Sequence, residues 1–124
     1  MAAELPQVTE GSRHGNRTWF VNGKGFVWER PFTKADVRRF GETPPPAGPI
    51  VAFRVADLEE KDFVLAAASG AFFTIPHFDG YPGLLIQLDA ASLEELQDAI
   101  VNAWLACAPP RLMNVYLASH DPGD

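Results

Sequence analysis

The stretch RTWFVNGKGFVWER, residues 17–30, leaves the chain little choice of fold. Two runs rich in β-branched and aromatic residues flank Asn22-Gly23, a pair that accepts the positive φ angles of a two-residue type I′ turn, so the spacing predicts a β-hairpin. Pairing Val21 with Lys24 sets the register. Alternation with a period of two then predicts that Trp19, Val21, Phe26 and Trp28 share one face, the core face. The reverse face receives Thr18, Phe20, Gly25, Val27 and Glu29, a mixture suited to solvent or to a partner.

A hairpin must bury its apolar face against something, and the rest of the chain supplies it. Residues 31–49, PFTKADVRRFGETPPPAGP, hold a Thr33–Asp36 cap for a short helical turn before Gly41. Their prolines and glycines otherwise mark a loop inserted between neighbouring strands, mobile and a place for function. IVAFRVA reads as a strand with Val51, Phe53 and Val55 on one side and Arg54 on the other. DLEEKDFVLAAASG carries Asp57 as N-cap and Gly70 as terminator, which predicts a helix. FFTI and GLLIQL are short strands. SLEELQDAIVNAWLACAP opens on a Ser92–Glu95 capping box, and Leu93, Leu96, Ile100, Ala103 and Cys107 form a stripe at helical spacing. Pro109 ends this helix and Pro110 starts another. After a short N-terminal helical piece the order is hairpin, strand, helix, two strands and two helices. It predicts an α+β two-layer sandwich, an antiparallel sheet with helices packed on one face. A chain of 124 residues is expected to form one such domain, residues 1–124, with 31–49 as the proline-rich insertion and 119–124 as a flexible tail.

Several function classes lack their residues. No apolar run approaches the roughly 20 residues needed to cross a bilayer, and MAAELPQVTEG lacks the basic start and apolar stretch of a secretory signal, so no membrane partner is expected. A single cysteine, Cys107, forms no internal disulfide and points to the cytoplasm. His14, His77 and His120 are too dispersed for a metal site, and no cofactor motif is present. Cys107 lies on an apolar helical stripe, where a thiol is inert. Glu59-Glu60 and Glu94-Glu95 fall in first helical turns, where the helix dipole explains them. The reading is therefore of a protein that is not an enzyme.

Two features point to binding instead. Residues 1–56 carry eight basic side chains against five acidic ones, a net charge of +3, whereas residues 57–124 carry two against eleven, a net of −9. A mildly basic end, with Arg13, Arg17, Lys24 and Arg54, is thereby separated from an acidic one. The second feature is FFTIPHFDGYPG, residues 72–83. Its prolines, Asp79-Gly80 and aromatic rings build a tight turn between strands. The reading leans to that turn, with a second role for His77 beside those rings, to contact a ligand or stack on an exposed base.

FVNGKGFVW, FRVADLEEKDFVLA, FFTIPHFDGYPGLLIQL and LQDAIVNAWLACAPPRL, in that order, resemble the MmcQ/YjbR family of small bacterial proteins over residues 5–117. The resemblance implies a CyaY-like fold and a DNA-binding label, the fold being thought to offer a double-wing surface. It touches Lys24, Arg54, His77, Trp104 and Arg111. The family's first helix is here cut to MAAELPQ, so either the start of the chain is late or one flank of the sheet is less covered. The expectation is thus a DNA-binding module using a basic patch from the N-terminal half, with Arg13, Arg17, Lys24, Arg54, His77 and Arg111 as the candidate nucleic-acid or ligand-binding residues. The alternative is a protein-interaction or small-ligand domain using the open sheet face or a cleft near His77.

Overall fold

The computed structural model describes residues 2–67 and 70–119; of the tail expected over 119–124, Ser119 is the last residue of a helix and the rest lies outside the described residues. Six strands form one antiparallel sheet in the order β1-β2-β3-β4-β6-β5: β1 Thr9–Arg13, β2 Asn16–Val21, β3 Lys24–Glu29, β4 Ile50–Arg54, β5 Phe72–Phe73 and β6 Gly83–Gln87. The helices are α1 Lys34–Phe40, α2 Leu58–Ala67, α3 Leu93–Cys107 and α4 Pro110–Ser119. The α+β sandwich is the architecture expected from the sequence.

Asn22 (φ 54°) and Gly23 (φ 72°) make the β2–β3 turn, and Val21 pairs with Lys24 as its turn type requires. A second hairpin precedes it. His14 (φ 54°) and Gly15 (φ 79°) turn β1 into β2, with Arg13 opposite Asn16. Strand β1 has no sequence signature because all five of its side chains are exposed. No face of it alternates with the core, and only the turn pair betrays it.

The register of the first hairpin holds for two residues and then slips. Phe20 lies opposite Gly25 but Trp19 lies opposite Val27, so Phe26 is an extra residue on β3, a β-bulge. Phe26 and Val27 consequently both join the main core beneath the helices, at 0% and 3% exposure. Alternation resumes one residue out of step, and Trp28 emerges on the reverse face, opposite Ala52 of β4. The expectation that Trp19 and Trp28 share a face is therefore corrected: Trp19 packs on the main core and Trp28 on a second, smaller one.

The main core is roofed by α3, which packs on β3 and β4. Ser92 and Glu95 close the expected capping box. Trp104, fully buried, donates its Nε1–H to the carbonyl of Pro6 at 3.1 Å and stacks on Tyr116 of α4 at 5.0 Å between ring centroids. The short N-terminal piece is thus tied to the roof by this indole, and its Ala2, Leu5 and Val8 pack on the same core. Full burial of each large side chain here (Phe26, Leu84, Ile86, Trp104) contributes about 1.5–3 kcal/mol.

The reverse face is partly covered rather than open. Thr33 and Asp36 cap α1 reciprocally, as the sequence predicts. That helix and the segment before it place Phe40 and Phe32 against Ile50, Ala52 and Leu85. A 3₁₀ turn, Pro76–Phe78, adds Phe78. The inserted segment is accordingly a structural cover, and its proline-rich end is held by Gln87, whose side-chain amide donates to the carbonyl of Ala47 at 2.8 Å. The turn is fastened from below by Lys61 of α2, only 6% exposed, whose Nζ donates to the carbonyls of Phe78 (2.6 Å) and Tyr81 (2.9 Å).

Candidate functional site

Where α1, the 3₁₀ turn and the β1–β2 hairpin rise around the reverse face, they leave a cleft of about 770 Å³. The hairpin tip contributes Arg13 and His14, β3 and the residue after it Trp28 and Arg30, α1 Asp36 and Arg39, and the turn His77, Phe78 and Tyr81. Its aromatic lining is continuous: Trp28 and Phe78 lie 6.3 Å apart between centroids, Phe78 and Tyr81 5.5 Å apart in an edge-to-face contact. Trp28 and Tyr81 are half-buried and keep ring surface on which a planar group can stack, whereas Phe78, 4% exposed, backs them from the second core.

Three arginines border these rings in different electrostatic states. Arg30 is anchored: its Nη1 lies 3.0 Å from Asp36 Oδ2, donates to the carbonyl of Pro31 at 2.6 Å, and its guanidinium stacks 5.9 Å from the Phe78 centroid. Arg39 is half exposed and sits 3.8 Å from the same carboxylate. Arg13 lies over Phe20 at 5.3 Å, and among the described residues no carboxylate is within ion-pair distance of it. Asp36 is 2% exposed. Burial pushes its pKa up, but the Thr33 N–H, the Arg30 charge and the Thr33 hydroxyl outweigh burial and hold the carboxyl below its usual 3.8. It therefore remains charged and fixes Arg30, while the unpaired Arg13 and the half-exposed Arg39, paired only at 3.8 Å, are the cleft arginines able to meet an anion.

The structure gathers some of the residues expected from sequence and separates others. Arg13 and His77 line the cleft, and His77 is exposed, 6.1 Å from the Phe78 ring. Arg54 stands at its border, stacked 5.3 Å from the Tyr81 centroid, with its Nε buried and unpaired. Arg17 lies away from the cleft, bonded to Glu10 and stacked on Trp19, and the Glu10 bond raises its pKa. Lys24 is exposed at the start of β3, and Arg111 is exposed in the first turn of α4 in the helical layer. The six candidate residues do not share one surface. Sequence reasoning missed Trp28, which the bulge redirects, Arg30, which ends the hairpin stretch, and Phe32 and Arg39, which belong to the segment read as an insertion.

Among the described residues no group of three His, Cys, Asp or Glu side chains is placed to hold a metal ion. Nor is any helix among them long and apolar enough to cross a membrane. Cys107 is buried, and burial raises its thiol pKa against the opposing charges of Arg54 and Lys24.

A small antiparallel sheet roofed by helices, with an arginine-bordered aromatic cleft on its far side, defines an α+β sandwich domain that keeps one concave surface accessible. The chain belongs to the YjbR family, whose model matches residues 3–106. It is 40% identical over 118 residues to uncharacterized proteins of Mycobacterium bovis and of two strains of Mycobacterium tuberculosis, an alignment covering 93% of this chain and 88% of each relative. No solved structure matches it.

Proposed function

We propose that the protein is a nucleic-acid-binding module whose working surface is this cleft, and that it takes single-stranded DNA. The observation that carries the reading is that Arg13 and Arg39 line the same cleft as the accessible rings of Trp28 and Tyr81. Cations that meet phosphates beside rings that stack bases are the shared equipment of single-strand binding sites. A paired duplex hides its base faces and asks for a broad basic surface, and a chain of net charge −6 with dispersed cations supplies neither. The cations of this surface come from the basic N-terminal half, Arg13 and Arg39 with Arg54 at the edge, and His77 and Tyr81 join them from the aromatic turn.

Anisotropy of a labelled 12-nucleotide single strand and the matching duplex tests this. Two phosphate contacts give a salt slope of about −1.4, so affinity for the single strand falls about sevenfold between 50 and 200 mM salt. Arg13→Ala reduces that slope by about 0.7, while Lys24→Ala and Arg111→Ala leave it alone. Absence of binding at 100 μM protein in 50 mM salt, or equal binding by an Arg13→Ala/Arg39→Ala variant, refutes the proposal. The cleft volume also falls within the roughly 300–1,000 Å³ of small-molecule sites, which favours a second reading, a small anionic ring-bearing ligand. A nucleoside monophosphate that binds while the oligonucleotide does not selects it.

A further inference from the structure

On the opposite side of the molecule α2 packs against β5 while α3 packs against β3 and β4, and a trough of about 300 Å³ runs between the two helices. Its floor is Phe53 and Phe72, edge-to-face at 5.7 Å. Phe63 of α2 forms one wall and is 67% exposed, the most exposed large apolar side chain among the described residues. The rim holds Glu60 and Asp98 and, engaged in the α3 cap, Glu95; no lysine, arginine or histidine lines the trough. An exposed aromatic side chain over an apolar floor is what an anchor residue of a partner fills.

From this geometry we infer that the α2–α3 trough is a docking site for a basic amphipathic peptide segment of a partner protein, which inserts one large apolar side chain beside Phe63 and sets Lys or Arg against Glu60 and Asp98. Charge complementarity selects that occupant. The two helices that wall the trough carry Glu59, Glu60, Asp62, Glu94, Glu95 and Asp98 and one basic residue, the buried Lys61, so nucleic acid and an anionic membrane are repelled from this side. An apolar groove with charged edges is the arrangement that reads a helix by its anchors and takes its register from flanking charges. The site is independent of the cleft: its residues belong to the helical face of the sheet, and nothing in its chemistry requires DNA.

Selection of random 16-residue peptides displayed on phage, against the full chain, tests the inference. The expected result is enrichment of peptides with Lys or Arg flanking a Leu, Phe or Trp. A synthetic peptide of the enriched sequence then shifts the amide signals of α2 and α3 and not those of the β1–β2 hairpin. Phe63→Ser, at an exposed position and confirmed as folded by its melting curve, weakens that peptide about tenfold or more. Glu60→Gln/Asp98→Asn weakens it about fivefold and flattens its salt dependence, whereas Arg13→Ala changes neither. No enriched sequence, or enriched peptides that bind the Phe63→Ser variant equally well, overturns the inference. So does self-association in sedimentation that Phe63→Ser abolishes, which assigns the trough to a second copy of the chain.

Discussion

Replacing Lys61 by Met removes the ammonium that fastens the aromatic turn of the cleft and keeps a side chain of similar length. Two charge-assisted hydrogen bonds are lost, at 2.6 Å and 2.9 Å, each worth about 1.5–3 kcal/mol. The loss is cushioned, because the Phe78 carbonyl also accepts from the Tyr81 N–H (3.0 Å) and the Tyr81 carbonyl from the Gly83 N–H (2.8 Å), and because a buried charge is no longer desolvated. The net is a destabilisation of about 2–4 kcal/mol, which for a domain of this size lowers the melting temperature by roughly 8–16 °C. Calorimetry reads that directly. Burial also depresses the Lys61 pKa below 10.5, against the opposing charges of Asp79 and Asp62. Between the folded value and 10.5 the unfolded chain therefore holds more protons at this position, so its contribution to stability rises with pH. The stability gap between wild type and variant widens through that alkaline window. Because Lys61 does not line the cleft, Lys61→Met weakens oligonucleotide binding without altering its salt slope. A melting temperature within 1 °C of wild type, with unmoved Phe78 and Tyr81 amide signals, refutes the reasoning.

Asp36→Asn keeps an acceptor for the Thr33 N–H but removes the charge that fixes Arg30, costing about 2 kcal/mol at neutral pH in urea titrations. Since the folded pKa is depressed, that contribution is complete above 3.8 and disappears as pH falls through the folded value, so wild type and variant converge in acid. Trp104→Phe deletes the bond to Pro6 and leaves a void, costing about 2–3 kcal/mol, and hydrogen exchange of Leu5 and Val8 rises more than that of β4. Cys107, buried and with its thiol pKa raised by that burial, reacts with Ellman's reagent only at the rate of unfolding, and an immediate stoichiometric reaction of the native protein contradicts its placement.

Where a local rule acts on adjacent residues, the sequence and the structure agree. The Asn22-Gly23 turn, the Thr33, Asp57 and Ser92 caps and the Pro110 helix start each depend on interactions spanning no more than four residues. What escaped depends on partners distant in sequence. Strand β1 is polar throughout, and only pairing to β2 makes it a strand. Phe32 and Phe40 look like loop hydrophobics until Ile50 and Leu85 receive them. Lys61 reads as one more helix-surface charge, since the carbonyls it satisfies lie 17 and 20 residues away. Of the candidate site, His77 and Arg13 were visible as residue types in suggestive surroundings, but charge counting cannot tell which cations share a face. Arg17 and Arg13 are four residues apart, yet they stack on rings on opposite faces of the sheet.

The bulge at Phe26 links the fold to the cleft. With strict alternation, Trp28 would lie under α3 beside Trp19, Val27 would face outward, and the reverse side of β3 would offer a small aliphatic patch with no large ring. One unpaired residue instead gives the main core two consecutive large side chains, at 0% and 3% exposure, and presents an indole to the far side. There Trp28 meets Phe78, and the hairpin carrying Arg13 and His14 closes the cleft over them. Bulges kink a strand and raise its local twist, and they recur where a side chain must be re-aimed toward a site. Burial in the helical core alone does not require this one: a regular strand with Phe26 and Trp28 inward would bury as much. Its effect falls on the reverse face, which is a physical reason to look for the working surface there.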